Sequence, residues 1–176
     1  VGLGGVDGTV VKRLRETVDP ARGGDGIRRT LEDLVPRLIA EAESQTSDFA
    51  GIGIGFGGPV DSKRGVTLVS HQVEGWDSFP LKEWAEKRWS LPVKIQNDAS
   101  LAGYAEAVAG AGRGCDRVFY MTIGSGIGGG LISDGVIEEG QGFGAAEIGH
   151  NWVPDPWTGK PDKLEHVCSG WAIGRR

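Results

Sequence analysis

Two stretches of the chain place apolar residues three or four positions apart, which predicts amphipathic helices. The first starts near Asp25, a candidate N-cap, and we expect Pro36 to interrupt and kink it. Its apolar positions are Ile27, Leu31, Leu34, Leu38 and Ala42. The second starts at Asp98, the predicted N-cap, and its apolar positions are Leu101, Tyr104, Ala105 and Val108.

Short apolar runs bounded by glycine or by turn residues predict strands. One covers 51–56, where glycines alternate with isoleucine and phenylalanine, and we expect it to be buried with its glycine face close to another group. Another covers 91–96 and is followed by Asn97 and Asp98. Asp98 therefore lies between the carboxyl end of a strand and the amino end of a helix, which is where open α/β sheets bind ligands.

The segment 121–132, MTIGSGIGGGLI, encloses five glycines and a serine between two apolar runs. We expect this loop to be the tip of a β-hairpin, because the chain continues into a short β-run that ends in an Asp-Gly turn. Glycines leave backbone N–H groups open to an anion, so the tip is predicted to hold a phosphate; a hairpin without a ligand is the alternative. The G-x-G-x-x-G match at Gly124, Gly126 and Gly129 is weak evidence for a dinucleotide fold, because that fingerprint opens a helix.

Composition is that of an ordinary globular protein: 39% of the 176 residues are hydrophobic and 24% are charged. A formal net charge of −5, without a cluster of basic residues, argues against general binding to nucleic acid or to a membrane surface. No apolar run has the length of a signal or membrane segment, and two cysteines, Cys115 and Cys168, build no disulfide framework. We therefore expect a cytoplasmic protein.

Five motifs follow one another along the chain: GFGGPVD, NDA, IGSGIGGG, AAEIGH and LEHVCSG. Together they resemble the ROK family (repressors, unannotated reading frames and sugar kinases). The resemblance implies an α/β protein with the actin-like ATPase or ribonuclease-H-like fold, in which two lobes enclose a cleft for sugar and ATP. We expect 1–110 to form the N-terminal lobe and 115–176 to begin a second, larger lobe that is incomplete in this chain, with a hinge in the Ala/Gly stretch 109–114.

The resemblance also implies a glucokinase-like, ATP-dependent hexose kinase. Phosphoryl transfer needs a carboxylate that accepts the hydroxyl proton, and Asp98 is the predicted general base, a role compatible with capping the helix. Asn97 beside it carries both a donor and an acceptor, which suits neighbouring sugar hydroxyls. By resemblance, the sugar contacts also include Asp98 itself together with Gly58, Glu147, His150 and Glu165.

ATP with Mg²⁺ is the phosphoryl donor that the resemblance implies. We expect its phosphates to contact Gly124, Ser125 and Gly126 in the hairpin. Gly4 and Gly5 are further candidates, as the glycines of an N-terminal phosphate loop. That loop has the form Asp-x-Gly-Gly-Thr in the family, and here both the acid and the threonine are missing, so part of the region is expected to be absent from this chain.

Many ROK proteins bind a structural zinc through the histidine that matches His150 and through a C-x-C-G-x-x-G-C loop. The corresponding segment 151–163, NWVPDPWTGKPDK, contains no cysteine. Since a zinc site needs about four N or S ligands, we expect no bound zinc. The tryptophans and prolines of this segment are expected to stiffen the loop instead.

Two other functions stay open on the sequence. One is a sugar-responsive ROK transcription regulator, which would carry a helix-turn-helix before the sugar domain and which the acidic composition disfavours. The other is a sugar-binding module that has lost its nucleotide site. The resemblance further implies a homodimer and a role in carbohydrate metabolism such as glycolysis. Glucose, mannose, fructose and N-acetylated hexosamines are not distinguished as substrates.

Overall fold

Two groups of elements make up the chain, Val1–Gln96 and Asn97–Arg176. The boundary between these units lies earlier in the sequence than the boundary between the predicted lobes, 1–110 and 115–176. The lobes stay a prediction for the complete protein. None of the described helices has the length and apolar character needed to cross a membrane. The computed structural model describes residues 1–43, 49–70, 72–141 and 145–175.

The first unit combines helices with pairs of short strands. Its helices are α1 (Gly23–Glu43) and α2 (Leu81–Trp89). Strands β1 and β2 form an antiparallel pair, β4 and β5 form another, and β3 pairs with β6. Their bounds are β1 Gly2–Gly4, β2 Val10–Arg13, β3 Ile52–Phe56, β4 Val60–Asp61, β5 Val66–Thr67 and β6 Val93–Asn97.

Aromatic rings fill the core of the first unit. Trp76 packs edge-on against Phe56 and Phe79, with ring centroids 5.4 and 5.5 Å apart. The guanidinium of Arg28 lies 4.3 Å from the Phe79 ring centroid, which ties α1 to this core. The buried residues of the cluster are Val60, Trp76, Leu81, Ala85, Val93 and Ile95.

Helix α1 departs from its prediction. It begins at Gly23, and Asp25 lies in its first turn, where it pairs with Arg28 instead of capping. The reason is that a 3₁₀ turn, Pro20–Arg22, leads directly into the helix. The helix also continues through Pro36, which was predicted to interrupt it.

Strand β3 is half-buried, not fully buried as predicted. Its isoleucines and its phenylalanine are partly covered, and the glycines between them are exposed. A Cβ atom built on Gly53 would meet no described atom within 4 Å. A Cβ atom built on Gly51, at the start of the same face, would lie 2.7 Å from the Pro92 carbonyl oxygen, so a group does pack close to the backbone at that end of the face.

The second unit is built around an antiparallel sheet in the order β7, β8, β9, on which α3 packs. Strands β7 and β8 pair from Arg117–Ser133 to Ile123–Ile127, so the predicted hairpin is confirmed. A 3₁₀ turn, Ile148–His150, leads into the antiparallel pair β10–β11 and two short helices. The bounds are α3 Asp98–Ala109, β7 Arg117–Ile123, β8 Ile127–Ser133, β9 Val136–Ile137, β10 Trp152–Pro154, β11 Pro161–Lys163, α4 Leu164–Cys168 and α5 Gly170–Gly174.

Three of the five glycines predicted in the loop lie in strand β8 instead. Cβ atoms built on Gly128 and Gly130 would lie 3.2 and 2.9 Å from atoms of α3. Gly129 faces the other side of the sheet, where its Cβ would lie 2.5 Å from the carbonyl oxygen of Ala146. These positions need glycine because both faces of the strand are closely packed, and the turn itself consists of 124–126.

Candidate active site

Strand β8 and the turn before it support the predicted site residues of the second unit. Three segments pack on them: the first turn of α3 on Gly128, the segment 146–149 on Ile127 and Gly129, and α4 on Gly126. Because these contacts follow one another along β8 and the turn before it, segments that are distant in sequence lie close together there. The segments and their borders carry Asn97, Asp98, Glu147, His150 and Glu165.

Asn97, not Asp98, is the N-cap of α3. The Oδ1 atom of Asn97 accepts a hydrogen bond from the Ser100 N–H at 3.0 Å. Asp98 is the first residue of the helix, and its Oδ1 accepts from the Ala99 N–H at 2.9 Å. The predicted cap is wrong by one residue, because both side chains can cap and the backbone conformation decides which one does. Asp98 is exposed, so a substrate hydroxyl can reach its carboxylate.

His150 and Glu165 lie together, with 3.4 Å between Nε2 and Oε1. Glu147 is half-buried and immediately precedes the 3₁₀ turn, where its carbonyl accepts from the His150 N–H at 3.1 Å. Residues three apart in such a turn lie on one face. The prediction that Glu147 and His150 share a face requires a helical turn between them, and this turn is present.

The hairpin tip consists of Gly124, Ser125 and Gly126. The N–H of Gly124 donates to the Gly126 carbonyl at 2.9 Å, and the Gly124 carbonyl accepts from the Gly170 N–H at 2.7 Å. The hydroxyl of Ser169 caps α5 by accepting a backbone N–H. Sequence reasoning used the LEHVCSG motif for its glutamate and missed that its Ser-Gly end holds the tip. A cap residue followed by glycine was the available signal.

The remaining predicted residues belong to the first unit. Gly4 ends strand β1, and the N–H of Gly5 donates to the Thr9 carbonyl at 2.9 Å, so both take part in the β1–β2 hairpin. A Cβ built on Gly58 would lie 2.8 Å from the Val69 carbonyl oxygen. Close contacts inside the first unit account for these glycines, and their contacts with phosphate or sugar stay predictions.

Metal binding depends on the ligands that the folded chain brings together. In the ranges that the structure describes, no group of three or more His, Cys, Asp or Glu side chains could hold a metal ion. The expected absence of zinc stays a prediction. A Mg²⁺ ion that accompanies ATP needs less from the protein, since one or two carboxylates together with phosphates and water usually bind it.

Comparisons with known proteins identify relatives over nearly the whole chain. The sequence model of the ROK family matches residues 2–176. A glucokinase from Halalkalibacterium halodurans is 33% identical over 174 residues, which cover 96% of this chain and 52% of that protein. A beta-glucoside kinase from Listeria innocua is 38% identical over 130 residues, which cover 72% of this chain and 44% of that protein. The chain thus spans about half the length of the curated relatives it matches.

A solved structure agrees with these relatives. The ROK family glucokinase from Streptomyces griseus, in complex with glucose and AMPPNP, matches with a TM-score of 0.79 and 34% identity, covering 99% of this chain and 55% of that one. The expected α/β fold of the actin-like ATPase type is therefore confirmed. The family match along the entire sequence and this structural match lead to the same conclusion: the chain belongs to the ROK family.

Proposed function

We propose that the protein containing this chain transfers the γ-phosphoryl group of ATP to a hydroxyl of a hexose. The observation that supports this most is the exposed carboxylate of Asp98 at the junction of β6 and α3, next to the strand that follows the glycine turn. The matched glucokinase and beta-glucoside kinase support a sugar as acceptor. Glucose or a related hexose is the proposed substrate.

Asp98 acts as the general base in this reaction. The sugar oxygen attacks the γ-phosphorus while its O–H proton passes to the Asp98 carboxylate. The bond from the γ-phosphorus to the β,γ-bridging oxygen breaks, and ADP leaves with that electron pair. Because Asp98 is exposed at the start of a helix, its carboxylate can meet the hydroxyl without a rearrangement of the core.

The turn 124–126 contacts the phosphates of ATP in this proposal. Two of its three residues are glycines, which carry no side chain that would keep an anion away from the backbone, and Ser125 adds a hydroxyl donor. The Gly124 N–H already donates to the Gly126 carbonyl, so the contact falls to Ser125 and Gly126. The Gly170 N–H holds the turn from behind through the Gly124 carbonyl. Mg²⁺ bound with the phosphates would supply the positive charge that the transition state needs.

The sugar is held by hydrogen bonds from several side chains in this proposal. His150 and Glu165 are 3.4 Å apart, close enough to bind neighbouring hydroxyls of one ring. Asn97 and Glu147 contact further hydroxyls, and Gly58 contributes main-chain contact. Such groups favour a sugar that satisfies all of them, since a missing hydroxyl leaves a polar group unpaired.

A coupled assay with a panel of hexoses tests the proposal in the complete natural protein. We expect ADP to form only when ATP and a hexose are both present, with a phosphorylated sugar as the second product. Sugar binding without any ADP formation would instead identify a transcription regulator or a non-catalytic binding module. ATP hydrolysis that is independent of sugar would also contradict the proposal.

We further propose that the complete protein is a homodimer that acts in the cytoplasm, in carbohydrate metabolism such as glycolysis. The family resemblance supports this proposal. Light scattering of the purified complete protein measures the oligomeric state directly. A mass equal to one chain would contradict the dimer.

A further inference from the structure

Three residues border the carboxylate of Glu165: Gly126, His150 and His166. A Cβ atom built on Gly126 would lie 2.9 Å from its Oε2 atom. Its Oε1 atom lies 3.4 Å from Nε2 of His150 and 4.0 Å from Nε2 of His166. The Glu165 side chain is 24% exposed, so these neighbours limit where the carboxylate can lie.

His166 is itself held by Asp162. The Nδ1 atom of His166 lies 2.9 Å from Oδ1 of Asp162, which is four residues earlier in strand β11. The hydrogen bond from His166, followed by the one from the Lys163 backbone N–H, keeps the pKa of Asp162 below its usual value. A carboxylate accepts, so Nδ1 of His166 carries a proton, and the ring is oriented with Nε2 toward Glu165.

We propose that Gly126, His166 and Asp162 are positioning residues for Glu165. The inference rests on the proposed function, in which Glu165 contacts the sugar. Gly126 leaves room for the carboxylate, and Asp162 orients the His166 ring that borders it. Gly126 therefore also has a part on the sugar side of the reaction, beside its proposed backbone contact with the phosphates of ATP.

The turn offers a matched pair of substitutions. Neither Gly124 nor Gly126 has a backbone φ in the left-handed region, so alanine suits both. In Gly126→Ala the new methyl meets the end of a flexible side chain, which can move at little cost in stability, and Glu165 is displaced. In Gly124→Ala the methyl meets nothing within 4 Å, so we expect any change in kinetics to be in the ATP KM and not in the hexose KM.

Steady-state kinetics of the complete protein tests the sugar side. We expect Gly126→Ala to raise the hexose KM at least about fivefold and to raise the ATP KM by a smaller factor, because alanine keeps the backbone N–H that the phosphates would contact. Shortening the acid in the double variant Gly126→Ala/Glu165→Asp should recover part of that loss, as coupled neighbours do. His166→Asn keeps a donor toward Asp162 but lacks Nε2, and it should raise the hexose KM with little change in kcat.

NMR of the histidine rings tests the geometry without any turnover. Gly126→Ala should shift the ring resonances of His150 and His166, because both rings border Glu165, whereas Gly124→Ala should leave them in place. Unmoved rings in Gly126→Ala, or moved rings with an unchanged hexose KM, would overturn the inference. If the parent protein phosphorylates no hexose, the proposed function fails instead, and the ring shifts still decide whether Glu165 is positioned in this way.

Discussion

Replacing Gly149 by alanine tests whether the contact between the segment 146–149 and β8 holds the sugar residues in place. A Cβ at this buried position would overlap the carbonyl oxygen of Ile127 and lie 3.1 Å from its carbonyl carbon, whereas ordinary contact begins at 3.4 Å. Ile127 cannot yield easily, because it pairs with Ile123 in the hairpin. The segment itself must therefore move, by about 1 Å.

The size of the effect follows from this displacement. Overpacking of a closed site costs about 1–3 kcal/mol. Each kcal/mol lowers Tm by about 2–4 °C for 150–250 residues and by about half as much for a protein of twice that length, so we expect the Tm of the complete protein to fall by roughly 1–6 °C. Glu147 and His150 flank Gly149 closely, and a misplacement of about 1 Å can reduce activity by about 100-fold. We expect kcat/KM for the sugar to fall at least about tenfold.

Calorimetric melting and the coupled assay measure both quantities on the complete protein. Gly174→Ala is the matched control, since its Cβ would meet nothing within 4 Å, and we expect its Tm within about 1 °C of the parent. The reasoning would be refuted by a Gly149→Ala protein that melts like this control and keeps its kcat/KM. A lower Tm with unchanged sugar kinetics would limit the contact to a structural role.

Three further predictions concern the site and its metal content. Asp98→Asn should lower kcat by at least about 100-fold while calorimetric sugar affinity stays within a few-fold; turnover within about tenfold of the parent would exclude Asp98 as the base. Glu147→Ala or His150→Ala should raise the sugar KM at least about tenfold and flatten the preference among hexose epimers, because each truncation leaves a hydroxyl of the bound sugar without its partner, at a cost of about 1–3 kcal/mol. A rise in the ATP KM instead would move this pair to the nucleotide side. Elemental analysis of protein purified without added metal should find far less than one zinc per chain, since 151–163 has no cysteine. Stoichiometric, chelator-sensitive zinc would contradict that reasoning.

Patterns confined to a few neighbouring residues were sufficient for several elements. The antiparallel hairpin of β7 and β8 followed from two apolar runs around a glycine turn. The strand predicted over 91–96 is present as Val93–Asn97, because an apolar run bounded by turn residues is a local signal. The order of five spaced motifs likewise indicated the ROK family, and the match to the family over residues 2–176 confirms it.

The glycines of the hairpin show where local patterns stop being informative. In the sequence they look alike, and all were expected to open backbone amides to an anion. The structure separates Gly124 and Gly126 in the turn from 128–130, which are glycines because α3 and the segment 146–149 press on both faces of β8. Why glycine is needed at each of these positions depends on which segment packs against that face of β8, and the neighbouring sequence does not show this.

Side-chain roles at the site were decided by the tertiary structure for the same reason. Asn97 and Asp98 are both good caps, and only the backbone path at the end of β6 made Asn97 the cap and left the Asp98 carboxylate exposed. The contact of Glu165 with Gly126 joins residues far apart in the chain. The sequence supplied the chemical groups and their family, whereas the folded backbone determined which of them meet, because distance and orientation depend on the packing of whole segments.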